Sequence, residues 1–202
     1  MAMTDISERQ LEIIEAAGKL LSDKGILGLT TKNLAREMGF SESALYRHFN
    51  SKEDIIATML AYLADSIETR LCAISSLSSD PAETLSLIFK SQFLFFQNHP
   101  YFVIAVLSDG LIEYSEKINQ AVMRLIQIKI SHLFPVIVQG QNCGQFRGDL
   151  SPDQLIHIIM GAFRLQMFQW RLSGFDFNLE EKAAELLETI HRVLAVPGTQ
   201  HN

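Results

Sequence analysis

The sequence predicts an all-α protein of about nine helices, with a small N-terminal three-helix domain that contains a helix-turn-helix and a larger helical domain behind it. Three observations carry this. Apolar residues recur at spacings of three and four along most of the 202 residues. Ser, Thr, Asp and Asn caps, twice followed directly by proline, mark where helices begin. Between residues 30 and 52 one helix stops and another starts across only Gly39, Phe40 and Ser41.

The first helix is expected over 7–24, capped by Ser7, with Leu11, Ile14, Ala17, Leu20 and Leu21 on one stripe. Gly25 and Gly28 close it, and Ile26 and Leu29 plug the small core. Thr30 or Thr31 caps the second helix, whose buried stripe is Leu34, Ala35 and Met38. Gly39 stops it in the left-handed conformation, and Ser41 caps a third helix from Glu42 to Phe49. There Ala44, Leu45 and Phe49 face inward, leaving Ser43, Tyr46, Arg47 and His48 outward as donors and aromatic edges, a face that suits a DNA major groove. Ser41, Glu42 and Ser43 stand at the end of the helix that meets base edges, while Tyr46, His48 and Lys52 reach flanking phosphates. The competing account is an ordinary helical hairpin with a solvated face.

Thr31 with Leu34-Ala35, the Met38-Gly39-Phe40-Ser41 turn, Leu45-Tyr46-Arg47-His48-Phe49 and Lys52 together make this stretch resemble the N-terminal domain of the tetracycline-repressor (TetR) family of bacterial transcription regulators. The resemblance implies phosphate contacts for Thr31, Tyr46 and Lys52, groove-facing positions for Ser43, Ala44 and His48, and Lys32 near the groove edge. Glu42 departs from a simple DNA-facing surface. Its carboxylate either accepts from a cytosine amino group or turns away and only favours the helix N-terminus.

The fourth helix starts at Ser51, which pairs with Asp54 as a capping box, and carries Ile55, Ile56, Met59, Leu60, Leu63, Ile67 and Leu71 to about Ile74. It is either a plain connector or, as the resemblance favours, a mechanical link to the recognition helix. Asp80-Pro81 opens the fifth helix, where Phe89, Phe93 and Phe96 recur with Phe95 beside them. Past Asn98-His99-Pro100, a short sixth helix holds Tyr101 and Phe102 and ends near Asp109-Gly110. The seventh runs from about Tyr114 to about Val138, with Pro135 kinking or shortening its last turns and a loop following over 139–148. Ser151-Pro152-Asp153 caps the eighth, which is apolar on more than one side, and Asn178 caps the ninth. Two apolar faces need two partners, so these last two helices are expected to cover the core and pair with their symmetry mates.

Composition narrows the function. The chain is 48% hydrophobic with a net charge of -6, which argues against a surface that binds nucleic acid everywhere. Residues 24–52 nevertheless carry Lys24, Lys32, Arg36, Arg47 and Lys52 against Glu37 and Glu42, a local basic face on an acidic body. Cys72 and Cys143 lie far apart, with no partner at metal spacing and no disulfide pattern; a reduced cytoplasm is the expected compartment, and no metal or cofactor is expected. No signal peptide and no stretch long enough to span a bilayer is read. The phosphate-loop, zinc-protease and nucleophile-elbow signatures are missing, so no catalytic residue is assigned. His99, His132, His157, His191 and His201 are scattered and read as structural or solvated.

The expectation is therefore a DNA-binding transcriptional regulator, a homodimer through its last two helices that binds a palindromic double-stranded operator through residues 1–50. Residues 51–202 would dimerise and take an unknown small apolar or amphipathic effector among Phe89, Phe93, Phe96, Phe102, Met123, Phe163 and Met167, with Arg164 as a polar anchor. An aromatic stripe of this kind also suits plain core. Arg164 equally suits snorkelling or a pair across the dimer. A helical ligand-binding or scaffold dimer with a vestigial helix-turn-helix is the rival.

Overall fold

The computed structural model describes residues 6–107 and 115–197, and among these there are helices and no strands. They are α1 (Glu8–Gly28), α2 (Thr31–Met38), α3 (Glu42–Leu45), α4 (Lys52–Ser75), α5 (Pro81–Asn98), α6 (Tyr101–Val106), α7 (Glu116–Asn142), α8 (Pro152–Leu172) and α9 (Leu179–Leu194). Packing divides the chain into two compact units, Met1–Ser66 with His99–Ile126 and Ile67–Asn98 with Gln127–Asn202, and both α4 and α7 contribute residues to each.

In the first unit α1 packs on α2 and α6. Ser7 and Gln10 form a reciprocal capping box at its start. Ile13, Ile14, Ala17, Leu20 and Leu21 are buried together with Leu34 and Ala35 of α2, Leu45 of α3, and Ile55, Ile56, Met59, Leu60 and Leu63 of α4. Each such leucine, isoleucine or methionine contributes roughly 1.5–3 kcal/mol on burial. The approach of α6 depends on Gly18: a Cβ there would lie 2.7 Å from Tyr101 Cδ2, closer than carbon atoms can sit. The Tyr101 and Phe102 rings lie tilted at 4.5 Å between centroids, Tyr62 stacks on Phe102 at 6.4 Å, and burial pushes the Tyr101 phenol up to about 12.

In the second unit α9 packs on α5 and α8. Ser86 of α5 and His191 of α9 share a hydrogen bond of 2.9 Å, and burial lowers the imidazole pKa. Capping boxes and side-chain caps appear where expected: Ser151 with Gln154 opens α8, and Asn178 accepts from the Glu180 and Glu181 amides at the start of α9. Between them the Trp170 indole donates to the Phe177 carbonyl at 3.1 Å and its ring meets Phe175 edge-on at 4.7 Å.

Gly25 adopts φ 63 and ψ -170 and ends the long run of α1 as expected, with one further turn following to Gly28. Three expectations need correction. α3 ends at Leu45, because the amides of Arg47 and His48 bond three residues back, to Ala44 and Leu45, and tighten the chain into turns before Phe49. α7 runs through Pro135 to Asn142, so the loop starts at Cys143. α7 is also long and apolar enough by length and composition to cross a membrane, which the sequence reading missed; Ile118, Val122, Leu125, Ile128, Leu133, Val136 and Ile137 on it are buried. The expected end of the sixth helix at Asp109-Gly110, the start of the seventh at Tyr114, and His201 lie outside the described residues.

Candidate nucleic-acid interface and ligand cluster

The helix-turn-helix is built by caps. Thr30 accepts from the Asn33 amide at 3.1 Å, while the Asn33 side chain donates to the Gly28 carbonyl at 2.8 Å, tying the end of α1 to the start of α2. Gly39 takes φ 67, and the Phe40 amide returns to the Ala35 carbonyl at 2.8 Å, so orphan carbonyls of α2 are satisfied. Ser41 accepts from the Ala44 amide at 3.3 Å and its hydroxyl meets that of Ser43 at 2.9 Å. Arg9 lies 5.1 Å over the Phe40 ring and so pins the turn to α1.

This scaffold sorts the third helix as expected. Leu45 and Phe49 are buried and Ala44 is half-buried, whereas Ser41, Glu42, Ser43, Arg47 and His48 are exposed and Tyr46 is 49% exposed. Lys32 is exposed on α2. Two groups have partners of their own. Thr31 donates its hydroxyl to Glu42 at 2.8 Å, so the carboxylate is held across the start of α2 and α3. Lys52 is half-buried, donates to the Ile26 carbonyl at 3.3 Å, and burial holds its ammonium below the usual lysine range. The remaining outward group, Ser43, Tyr46, Arg47 and His48, combines hydroxyls, a guanidinium and an imidazole, the chemistry that meets phosphates and base edges.

The second unit gathers a different set. Phe89, Phe93 and Phe96 of α5 are buried, and their ring centroids lie 5.8, 5.1 and 6.1 Å from that of Phe163 on α8. Met167 is buried one turn beyond Phe163, while Arg164 is exposed. Of the other expected lining residues, Phe102 is core of the first unit against Tyr62, His99 and Tyr101, and Met123, also there, is 51% exposed. Two polar side chains of the cluster escaped the sequence reading. Lys129 of α7 sets its ammonium 4.9 Å over the Phe163 ring and 5.7 Å over Phe96. Burial, with Arg70 and Arg164 nearby, pushes it down to about 8. Gln92 is 4% exposed and neither end of its amide finds a hydrogen bond. The available signal was a lysine set among Ile126, Ile128 and Ile130, and a glutamine directly before Phe93 on the aromatic helix.

Along α8, Ile158, Leu165, Phe168 and Leu172 are exposed at spacings that put them on one stripe with Gly161, where a Cβ would meet nothing within 4 Å. Leu187 of α9 is half-buried.

Residues 13–59 match the family model described as bacterial regulatory proteins, tetR family. Nucleoid occlusion factor SlmA of Vibrio atlanticus is 27% identical over 169 residues, covering 75% of this chain and 86% of that protein. Among solved structures, the fatty acid degradation regulator FadR from Bacillus halodurans superposes with a TM-score of 0.83 at 15% identity, over 98% of this chain and 100% of that one. FadR from Bacillus subtilis in complex with stearoyl-CoA gives 0.79 at 17% identity, over 91% and 98%.

Proposed function

We propose, from the premise that this chain is a TetR-family DNA-binding regulatory protein, that it is a dimeric repressor released from a palindromic operator by an amphipathic ligand with an anionic head. The observation that carries the DNA reading is the exposed group Ser43, Tyr46, Arg47 and His48 raised on the buried Leu45 and Phe49. Tyr46 and Arg47 contact phosphates, Ser43 and His48 face the groove, and Thr31 and Lys52 support them, the first by holding Glu42 aside and the second by bonding the last turn of α1 at Ile26. A dimer must hold two recognition helices near one DNA turn apart, roughly 34–36 Å, and a ligand that prefers another spacing lowers affinity by linkage. The α8 stripe supports the dimer, since an apolar row of that kind is seldom left in water.

For the ligand, the support is a buried ammonium in an aromatic setting with two guanidinium groups in its field. A buried cation is stabilised by an anion, and the rings would take an apolar chain. The Bacillus subtilis FadR structure, which contains stearoyl-CoA, is a fold neighbour with that type of ligand. The SlmA relatives bring a second reading, in which DNA binding acts in nucleoid occlusion; it is favoured by a similarity that runs over 169 residues, beyond the DNA-binding segment.

The test is binding to genomic fragments at several salt concentrations. Arg47→Ala is expected to weaken binding to all sequences alike and to make the salt slope shallower by about one phosphate. Tyr46→Phe should also weaken binding uniformly, without the change in slope. Loss at a single base pair, or wild-type binding that ignores salt, would contradict the assignment. Chromosome-wide mapping separates the two readings: sites confined to promoters support regulation of transcription, and sites dispersed around the chromosome support nucleoid occlusion. Long-chain acyl-CoA should raise the melting temperature and lower DNA affinity in the wild type, and do neither in Lys129→Met.

A further inference from the structure

We propose that Glu68, Cys72 and His132 form a binding site for one thiophilic divalent metal ion of the zinc class, within the second unit and separate from the aromatic cluster. Glu68 and Cys72 stand four residues apart on α4 and so share a face, and His132 comes from α7. One ligand atom from each lies within 4.8 Å of the other two. His132 Nε2 and Glu68 Oε1 are 3.9 Å apart. That is too long for a hydrogen bond, and only slightly wider than the ~3.4 Å between two donors on one metal with bonds of about 2.1 Å in a tetrahedral arrangement. Small rotations of the exposed side chains close the difference.

The donor set selects the ion. A thiolate disfavours magnesium and calcium, which take oxygen ligands, and one sulfur, one nitrogen and one oxygen donor together match zinc and its spectroscopic stand-in cobalt. Three protein ligands leave a fourth position for water. The His132 side chain is 15% exposed and Glu68 40% exposed, and the Cys72 thiol is exposed. The ring is therefore held by its surroundings while the thiol offers an entry side. Cys143 is not an alternative donor here: it is on another segment, and its thiol donates to the Gly140 carbonyl at 3.5 Å. Lys129, one turn before His132, places its charge over the Phe163 and Phe96 rings. On binding, the thiol releases its proton to solvent and the ion joins α4 to α7. An ion bound only by the folded unit raises its melting temperature.

The experiment uses the full chain, stripped with a chelator and titrated with cobalt(II), then with zinc against a chromophoric competitor. One equivalent per chain is expected, with thiolate-to-cobalt charge-transfer absorption and the strong visible bands of a tetrahedral site. Cys72→Ser should abolish the charge-transfer band, and His132→Gln should weaken zinc binding by more than the roughly 10–100-fold typical of changes outside the ligand set. Cys143→Ser should change neither, and circular dichroism should show all three variants folded. The proposal is overturned by no binding at micromolar metal, by a charge-transfer band that survives Cys72→Ser or disappears in Cys143→Ser, or by visible bands without one. Because the readout is metal affinity and spectrum alone, it stands or falls independently of DNA binding and of any organic effector.

Discussion

The helix-turn-helix and the aromatic cluster treat polar side chains in opposite ways. In the first, Thr30, Asn33, Ser41, Thr31 and Glu42 each have a hydrogen-bond partner, and the buried stripe is wholly apolar. In the second, Gln92 is buried with no hydrogen bond to its amide, and the ammonium of Lys129 lies over aromatic rings. One region is arranged for its own stability, and the other keeps groups that cost stability unless something else binds them. The difference separates a region whose polar groups are satisfied within the chain from one that keeps polar groups without such partners.

The largest expected effect breaks the stable side. Leu45→Ala, at a position 2% exposed in the small core, should cost roughly 2–5 kcal/mol in urea denaturation and remove DNA binding with it. In the cluster the sign should reverse. Lys129→Met and Gln92→Leu should each raise stability at pH 7 by about 1–3 kcal/mol, because each removes a buried polar group without leaving a partner unpaired. A loss in both variants would mean that the cluster is ordinary core. The Lys129 advantage also has a pH window. Folding lowers this pKa from 10.5 to about 8, so the burial cost is fully present below about 8. Between the two values the unfolded chain binds the extra proton, and wild-type stability climbs with pH. The gap to Lys129→Met should narrow there, measured by melting temperature at pH 7, 9 and 10. The smallest effect sharpens the contrast from the other side. Asn33→Ala should cost about 1 kcal/mol, since the side chain donates a half-buried hydrogen bond to the Gly28 carbonyl.

Local rules made most of the fold legible. Ser7, Thr30, Ser41, Ser151 and Asn178 act as the caps their positions suggested, and Gly39 takes the left-handed conformation that a break so short requires. Tertiary context decided what was missed. Pro135 stays inside α7 because a packed helix tolerates the lost hydrogen bond that an isolated one would not. The Phe89, Phe93, Phe96 and Phe163 grouping could be read from spacing, but the placement of Phe102 and Met123 in the other unit could not, since periodicity names a face and not its partner. Lys129 was hidden for the same reason. His132 lies 60 residues from Cys72, so no sequence spacing could join them.

The brevity of α3 has a thermodynamic consequence. It holds four residues, and the chain reaches Phe49 through turn-type bonds. A single turn has little cooperativity of its own, so the amides of residues 46–48 should exchange with solvent far faster than those of α2 or α4 in the free protein. Contact with a groove can extend the helix through Tyr46 and Arg47, and that ordering shows as slowed exchange and as a binding enthalpy that falls steeply with temperature. Affinity then depends on how readily these few residues coil.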